Sequence, residues 1–248
     1  TIDDVERAAE KAGAAPAAPV ADRAAEMRKS IAAAMSRSKR EIPHYYLATD
    51  IPLARMTRWL AARNEGRAVT ERVLLAAPLL KAVALGLKKF PELNGYYREG
   101  AFVPGPGIHL GVAISLRQGG LIAPAIRDVD KLPIDALMRQ LADLVARARA
   151  LTLKSSEMSD ATVTVTNLGD NGVRLVEGVI YPPQVALVGF GRVTDRAWAE
   201  QGKVIVTPLV TASLSADHRA SDGHRGALFL NEVDRLLQNP EELDGAFT

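Results

Sequence analysis

The chain has 248 residues, 48% hydrophobic and 24% charged, with a formal net charge of +2 and no cysteine. Such a composition can bury one large core or two small ones without covalent staples, and it excludes disulfides, thiolate nucleophiles and Cys-ligated metals. The near-neutral balance gives no reason to expect nucleic acid or an anionic membrane, no apolar run approaches the roughly 20 residues of a spanning helix, and a reducing, cytoplasmic compartment is expected.

The sequence opens Thr1-Ile2-Asp3-Asp4, with no basic-then-apolar signal region and no initiating Met, and so reads as part of a longer chain. Residues 1–12 predict a short helix with Val5 and Ala8/Ala9 on one face. Residues 13–21 (GAAPAAPVA) predict a semi-rigid linker, because proline removes donors and favours extended backbone. Met27, Ile31, Ala34 and Met35 recur at helical spacing and predict a helix over 22–40, which Pro43 ends. The aromatic and β-branched run 44–51 (HYYLATDI) predicts a strand. Helices are expected over 53–63 and 70–90, the second with Thr70 as N-cap and with Pro78 implying a kink or a later start. A hairpin over 94–103 and strands over 108–116 and 121–126 follow, the last two broken at Gln118-Gly119-Gly120. Residues 133–150 predict a helix, 162–166, 185–193 and 204–214 predict strands, and 222–237 predicts a closing helix. Helices and strands mix without strict alternation, which argues for an α+β fold, a mixed sheet flanked by helices, and against a Rossmann or TIM repeat.

The familiar chemical fingerprints are absent: there is no Gly-x-Ser-x-Gly, no phosphate-binding Walker loop and no third glycine in Gly105-Pro106-Gly107 or Gly189-Phe190-Gly191. The four histidines, His44, His109, His218 and His224, lack metal-ligand spacing, so no metal is expected. What remains is Ser213-Leu214-Ser215-Ala216-Asp217-His218-Arg219-Ala220-Ser221-Asp222-Gly223, which places His218 at a strand end and Asp222 at the mouth of a helix. Imidazole is the side chain suited to proton transfer near neutral pH. Spacing alone also permits a purely structural histidine with Asp222 as N-cap. Ser213 and Ser215 alternate with Leu214, so their hydroxyls should face away from the core, near the histidine, with Ser215 available to substrate. A second feature is Thr162-Val163-Thr164-Val165-Thr166-Asn167-Leu168-Gly169, a strand running into a turn. It is either an edge strand with a wet threonine face or one that presents Thr166 to a developing oxyanion, with Asn167 beside it as a substrate contact.

Asp217-His218-Arg219-Ala220-Ser221-Asp222-Gly223 resembles the Asp-His-Arg-x-x-Asp-Gly signature of the catalytic (core) domain of dihydrolipoyl acyltransferases of the 2-oxo acid dehydrogenase complexes. Further segments match in order: Met27-Arg28-Lys29-Ser30-Ile31-Ala32, Ile42-Pro43-His44-Tyr45-Tyr46, Phe90-Pro91-Glu92-Leu93-Asn94, Gly120-Leu121-Ile122-Ala123-Pro124-Ala125-Ile126-Arg127, Val165-Thr166-Asn167-Leu168-Gly169 and Pro182-Pro183-Gln184-Val185-Ala186. The resemblance spans roughly 24–240. It makes 1–12 similar to the tail of a peripheral-subunit-binding domain, 13–21 to an Ala-Pro linker, and 22–248 to the acyltransferase domain, with the lipoyl domain elsewhere.

The resemblance implies a trimeric, chloramphenicol acetyltransferase-like fold and acyl transfer between a dihydrolipoyl-lysine arm and coenzyme A. His218 would be the base, its second ring nitrogen held by its own backbone carbonyl. Thr166 of another subunit would be the oxyanion donor, and Asp222 would orient the loop or an arginine such as Arg28. The implied partners are a homotrimer, a larger cubic core, and the 2-oxo acid decarboxylase/dehydrogenase and dihydrolipoyl dehydrogenase subunits. Three departures stand out: polar Asp170-Asn171 after Gly169, Ala220-Ser221 where an apolar pair is usual, and an end (239–248) with only Leu243 and Phe247 to plug a neighbouring trimer. A free-standing O-acetyltransferase has no need of the segment 1–21, and a non-catalytic scaffold has no use for His218 and Thr166.

Overall fold

The computed structural model describes residues 20–116 and 120–244, so the helix expected over 1–12, most of the 13–21 linker and the chain from 245 onward lie outside the described residues. Helix α1 (Val20–Glu41) starts inside the stretch expected as linker and stops before Pro43. Strand β1 (His44–Pro52) and helix α2 (Ala54–Arg63) follow as expected. Helix α3 (Ala76–Lys89) starts later than 70: Thr70 lies in a 3-10 turn (Val69–Glu71) and caps nothing. Pro78 therefore falls in the first turn of α3, where its missing N–H leaves no helix bond unmade. Every residue from Ala77 to Leu87 in α3 is buried, as befits a helix enclosed on all sides.

The hairpin is β2 (Gly95–Arg98) and β3 (Ala101–Pro104), and the next strands are short: β4 (Leu110–Val112), β5 (Ile114–Ser115), β6 (Leu121–Ile122) and β7 (Ala125–Ile126). Helices α4 (Ile134–Arg149) and α5 (Ser155–Ser159) lead to β8 (Val163–Asn167) and β9 (Ala186–Phe190). The chain closes with β10 (Thr194–Glu200), β11 (Lys203–Asp217) and α6 (Gly223–Gln238). Neither α5 nor β10 is predicted by sequence pattern. The main sheet has seven strands, ordered β1-β11-β9-β8-β4-β7, with β10 paired to the first part of β11. Pairings β4–β8 and β8–β9 are parallel and the others antiparallel, giving a mixed sheet.

The pleat sorts the side chains in rows across the strands. Val165, Val188, Leu214 and Leu47 are in register and share the core with Phe229, Leu230 and Val233 of α6. Gly226 lets α6 approach: a Cβ there would lie 2.8 Å from Leu47 and 3.0 Å from Tyr45. Thr166, Gly189 and Ser213 form the adjacent row, on the opposite face. That face is covered by the irregular segment 173–184. Ser213 Oγ donates to the Val176 carbonyl, Ile180 packs with Ile42 and Leu187, and Ser38 Oγ donates to the Ile180 carbonyl at 2.6 Å. Gly191 allows the crossing, because a Cβ there would sit 1.8 Å from the Arg174 carbonyl oxygen. Ser213 and Ser215 are thus buried under a loop rather than open to water, against the sequence expectation.

Two polar devices tie elements together. Asp50 on β1 accepts from both terminal guanidinium nitrogens of Arg196 on β10 at 2.9 Å and from the Thr211 hydroxyl of β11. Lys81 of α3 is 2% exposed, and its ammonium donates to the carbonyls of Val129, Asp130 and Leu132 at 3.2, 2.6 and 2.7 Å, pinning the turn that precedes α4.

Candidate active site

Register places the His218 corner. Strand β11 ends at Asp217, paired with His44, and the chain then turns sharply into α6. His218 N donates to the Pro43 carbonyl (3.0 Å), and the amides of Ala220 and Ser221 donate to the Asp217 carbonyl (3.0 and 3.1 Å). Asp217 is fully buried, and its carboxylate accepts from Arg219 N, Nε and Nη2 at 2.9, 2.9 and 2.7 Å. The Arg219 guanidinium also lies 4.0 Å from the centre of the Tyr97 ring, a cation–π contact. Asp217 and Arg219 thus clamp the backbone on both sides of His218; sequence pattern supplied the motif but not these roles.

The His218 side chain is exposed. Its ring meets the Tyr45 ring edge to face, with centroids 5.3 Å apart and planes at 69°. Neither ring nitrogen has a hydrogen-bond partner among the described residues, so the bond to its own carbonyl expected from the resemblance is not present here. His44 is different: its Nδ1 donates to the Ile42 carbonyl (2.9 Å), and its Nε2 accepts from Ile180 N (3.2 Å). Those partners fix one neutral tautomer, and burial pushes its pKa below the usual histidine value.

Asp222 caps α6, Oδ1 accepting from Arg225 N at 3.0 Å. That amide, foremost, holds its carboxyl below the usual carboxylate range. Arg28, the partner the sequence suggested, makes no ion pair with it among the described residues. Ser215 Oγ is buried with no hydrogen-bond partner among the described residues, so it is not presented to substrate as expected.

Thr166 stands near the end of β8, 9% exposed, its hydroxyl without a hydrogen-bond partner among the described residues. Asn167 next to it is exposed, but its Oδ1 is engaged by the Gly169 amide at 2.9 Å. Two residues earlier on the same face, Thr164 borders a cavity of about 370 Å³ lined also by Met27, Ile31, Leu121, Tyr96 and Gln184. The structure does not bring Thr166 and His218 of one chain together. Thr166 is in register with Gly189, and Gly189 with Ser213, five residues before His218. Two strand spacings of about 4.8 Å and five residues of about 3.3 Å put the two positions roughly 19 Å apart.

Residues 19–244 match the family model of the 2-oxoacid dehydrogenases acyltransferase (catalytic domain). The chain belongs to this family. It is 34% identical over 223 residues to the dihydrolipoyllysine-residue acetyltransferase component of the pyruvate dehydrogenase complex of Staphylococcus epidermidis, covering 88% of this chain and 51% of that protein. The counterpart from Staphylococcus aureus is 33% identical over 220 residues, with the same coverage. The chain thus spans about half the length of the curated relatives it matches. Among solved structures, a probable dihydrolipoamide acetyltransferase from Listeria monocytogenes superposes with a TM-score of 0.79 at 29% identity, covering 89% of this chain and 94% of that one. Chloramphenicol acetyltransferase, at 12% identity and a TM-score of 0.55, covering 83% and 94%, shares the fold. The fold expected of the acyltransferase family, a mixed sheet flanked by helices, is the one observed. No helix among the described residues is long and apolar enough to cross a membrane, and no group of three or more His, Cys, Asp or Glu is placed to hold a metal ion among them.

Proposed function

We propose that this acyltransferase domain moves an acyl group between a dihydrolipoyl-lysine arm and coenzyme A, in a site completed by two copies of the chain. A free thiol has a pKa of about 8.5 and is mostly protonated near neutral pH. A ring nitrogen of His218 takes the proton from the incoming thiol as its sulfur bonds to the thioester carbonyl carbon. The carbonyl oxygen becomes an oxyanion, to which the Thr166 hydroxyl of a neighbouring copy donates. The tetrahedral intermediate then collapses, the bond to the original sulfur breaks, and the imidazolium returns its proton to that sulfur. A positioned base typically contributes about 10²–10⁴ in rate and one oxyanion donor about 10²–10³. Asp222 acts on the scaffold side, fixing the first turn of α6 beside the base.

The observation that carries this reading is the separation of two available groups. Among the described residues, the exposed His218 has both ring nitrogens unpartnered and Thr166 has an unpartnered hydroxyl, yet in one chain they lie too far apart to reach one thioester. A closed trimer, which can stack further into a cubic core, supplies the second copy, and the decarboxylase/dehydrogenase and dihydrolipoyl dehydrogenase subunits would be its partners within the complex. The cavity next to Thr164, mainly apolar in lining, suits the hydrocarbon part of an acyl or lipoyl chain. The test is to supply acetyl-, succinyl-, isobutyryl- or isovaleryl-CoA with free dihydrolipoamide and follow thioester formation. His218→Ala and Thr166→Ala should each lose at least about a hundredfold in kcat; near-full activity of His218→Ala would refute the assignment.

A further inference from the structure

An exposed imidazole with no hydrogen bond on either nitrogen among the described residues needs something else to hold its ring in one orientation. In this chain the packing partner of the His218 ring is Tyr45, edge to face at 5.3 Å. Tyr45 is itself fixed. Its backbone is locked in β1 opposite Ala216. One edge of its ring lies against α6, where a Cβ on Gly226 would come within 3.0 Å. Its hydroxyl shares a hydrogen bond of 2.8 Å with Ser221 Oγ. Ser221 lies three residues past His218, in the turn whose amides are tied to the Asp217 carbonyl. The loop that carries the histidine therefore also carries the hydroxyl that anchors the tyrosine packed on it.

We propose that Tyr45 and Ser221 form a positioning pair that sets the orientation of the His218 ring, a role that rests on the general-base reading above. Both act through the His218 ring: Tyr45 by packing on it and Ser221 by anchoring Tyr45. Freed from Ser221, the Tyr45 ring keeps its bulk but loses its fixed angle, and His218 spends less time aimed at the thiol. The effect belongs to the chemical step, because the aim of the ring governs proton transfer.

The test compares Tyr45→Phe, Ser221→Ala, the double variant and Ser221→Thr in the dihydrolipoamide assay, with thermal melting of each and with His218→Ala as control. Each of the first two should lower kcat about three- to tenfold, the range expected for one lost hydrogen bond expressed as a rate. The KM values for acyl-CoA and dihydrolipoamide should stay within about twofold, since uniform binding is untouched. The double variant should be no slower than the slower single one, because the two substitutions remove the same bond. Ser221→Thr, which keeps a hydroxyl, should restore kcat. Unchanged kcat in both single variants, or losses that multiply in the double, would overturn the pairing. So would losses that follow KM or melting temperature instead of kcat. If His218→Ala stays fully active, the general-base reading falls first; if only the Tyr45 and Ser221 variants are neutral, this inference alone fails.

Discussion

The roughly 19 Å between Thr166 and His218 within one chain, set by two strand spacings and five residues of β-rise, makes a complementation experiment decisive. Thr166→Ala and His218→Ala chains are each expected to be nearly inactive. Unfolded together in equal amounts and refolded, they would populate closed rings at random. A junction works when the chain offering the histidine is the Thr166→Ala one and the chain offering the threonine is the His218→Ala one. Each condition holds half the time, so about a quarter of the junctions are intact in any closed ring. Specific activity of the mixture should therefore recover to about a quarter of the unsubstituted protein. The starting materials give at most about a hundredth. The assay is thioester formation from acetyl-CoA and dihydrolipoamide, with ring formation checked by sedimentation. Were both groups to act from one chain, no combination would restore a centre. A mixed oligomer with only the parental activities would refute the shared site.

Two further outcomes follow from the packing. The Arg196 guanidinium bonded to Asp50 holds that carboxyl below the usual carboxylate range, so the folded chain keeps its charge where the unfolded chain has begun to bind a proton. The stability contributed is complete above about pH 3.9 and is lost as pH falls through the folded value; Asp50→Asn should lower stability by about 1–3 kcal/mol at neutral pH and flatten that acid limb, as read by denaturant unfolding across pH. Lys81→Met keeps volume but takes the ammonium from the Val129, Asp130 and Leu132 carbonyls, of which only Val129 keeps a backbone donor among the described residues, and should cost about 2–4 kcal/mol, visible as a lower urea midpoint with unchanged slope.

Long periodic segments were readable in advance because their signal is local. Helices α1, α4 and α6 follow apolar spacing, and β1, β8 and β9 follow β-branched and aromatic runs. Strand β10 was not readable: its polar TDRAWAE earns its place only by pairing with β11 through a tight turn in which Gln201 and Gly202 both have positive φ. The late start of α3 turns on Pro78, whose tolerance for a first turn does not say which residue begins it. At the candidate site, the 217–223 motif points to His218 and Asp222 and the 162–169 strand to Thr166, since each lies near an element's end where chain direction is predictable. Ser215 misled because alternation fixes a face but not what covers it. The cover here is the irregular segment 173–184, which has no periodicity to read. The holding roles of Asp217, Arg219 and Tyr45 depend on contacts made only after folding.

The two imidazoles at the β1–β11 corner have opposite circumstances. His44 has a donor on one nitrogen and an acceptor on the other, so to accept a proton it would have to give up the Ile180 amide. His218 makes no such bonds among the described residues. A molecule that reaches this edge of the sheet therefore meets one imidazole already committed to the backbone and one with both nitrogens on offer.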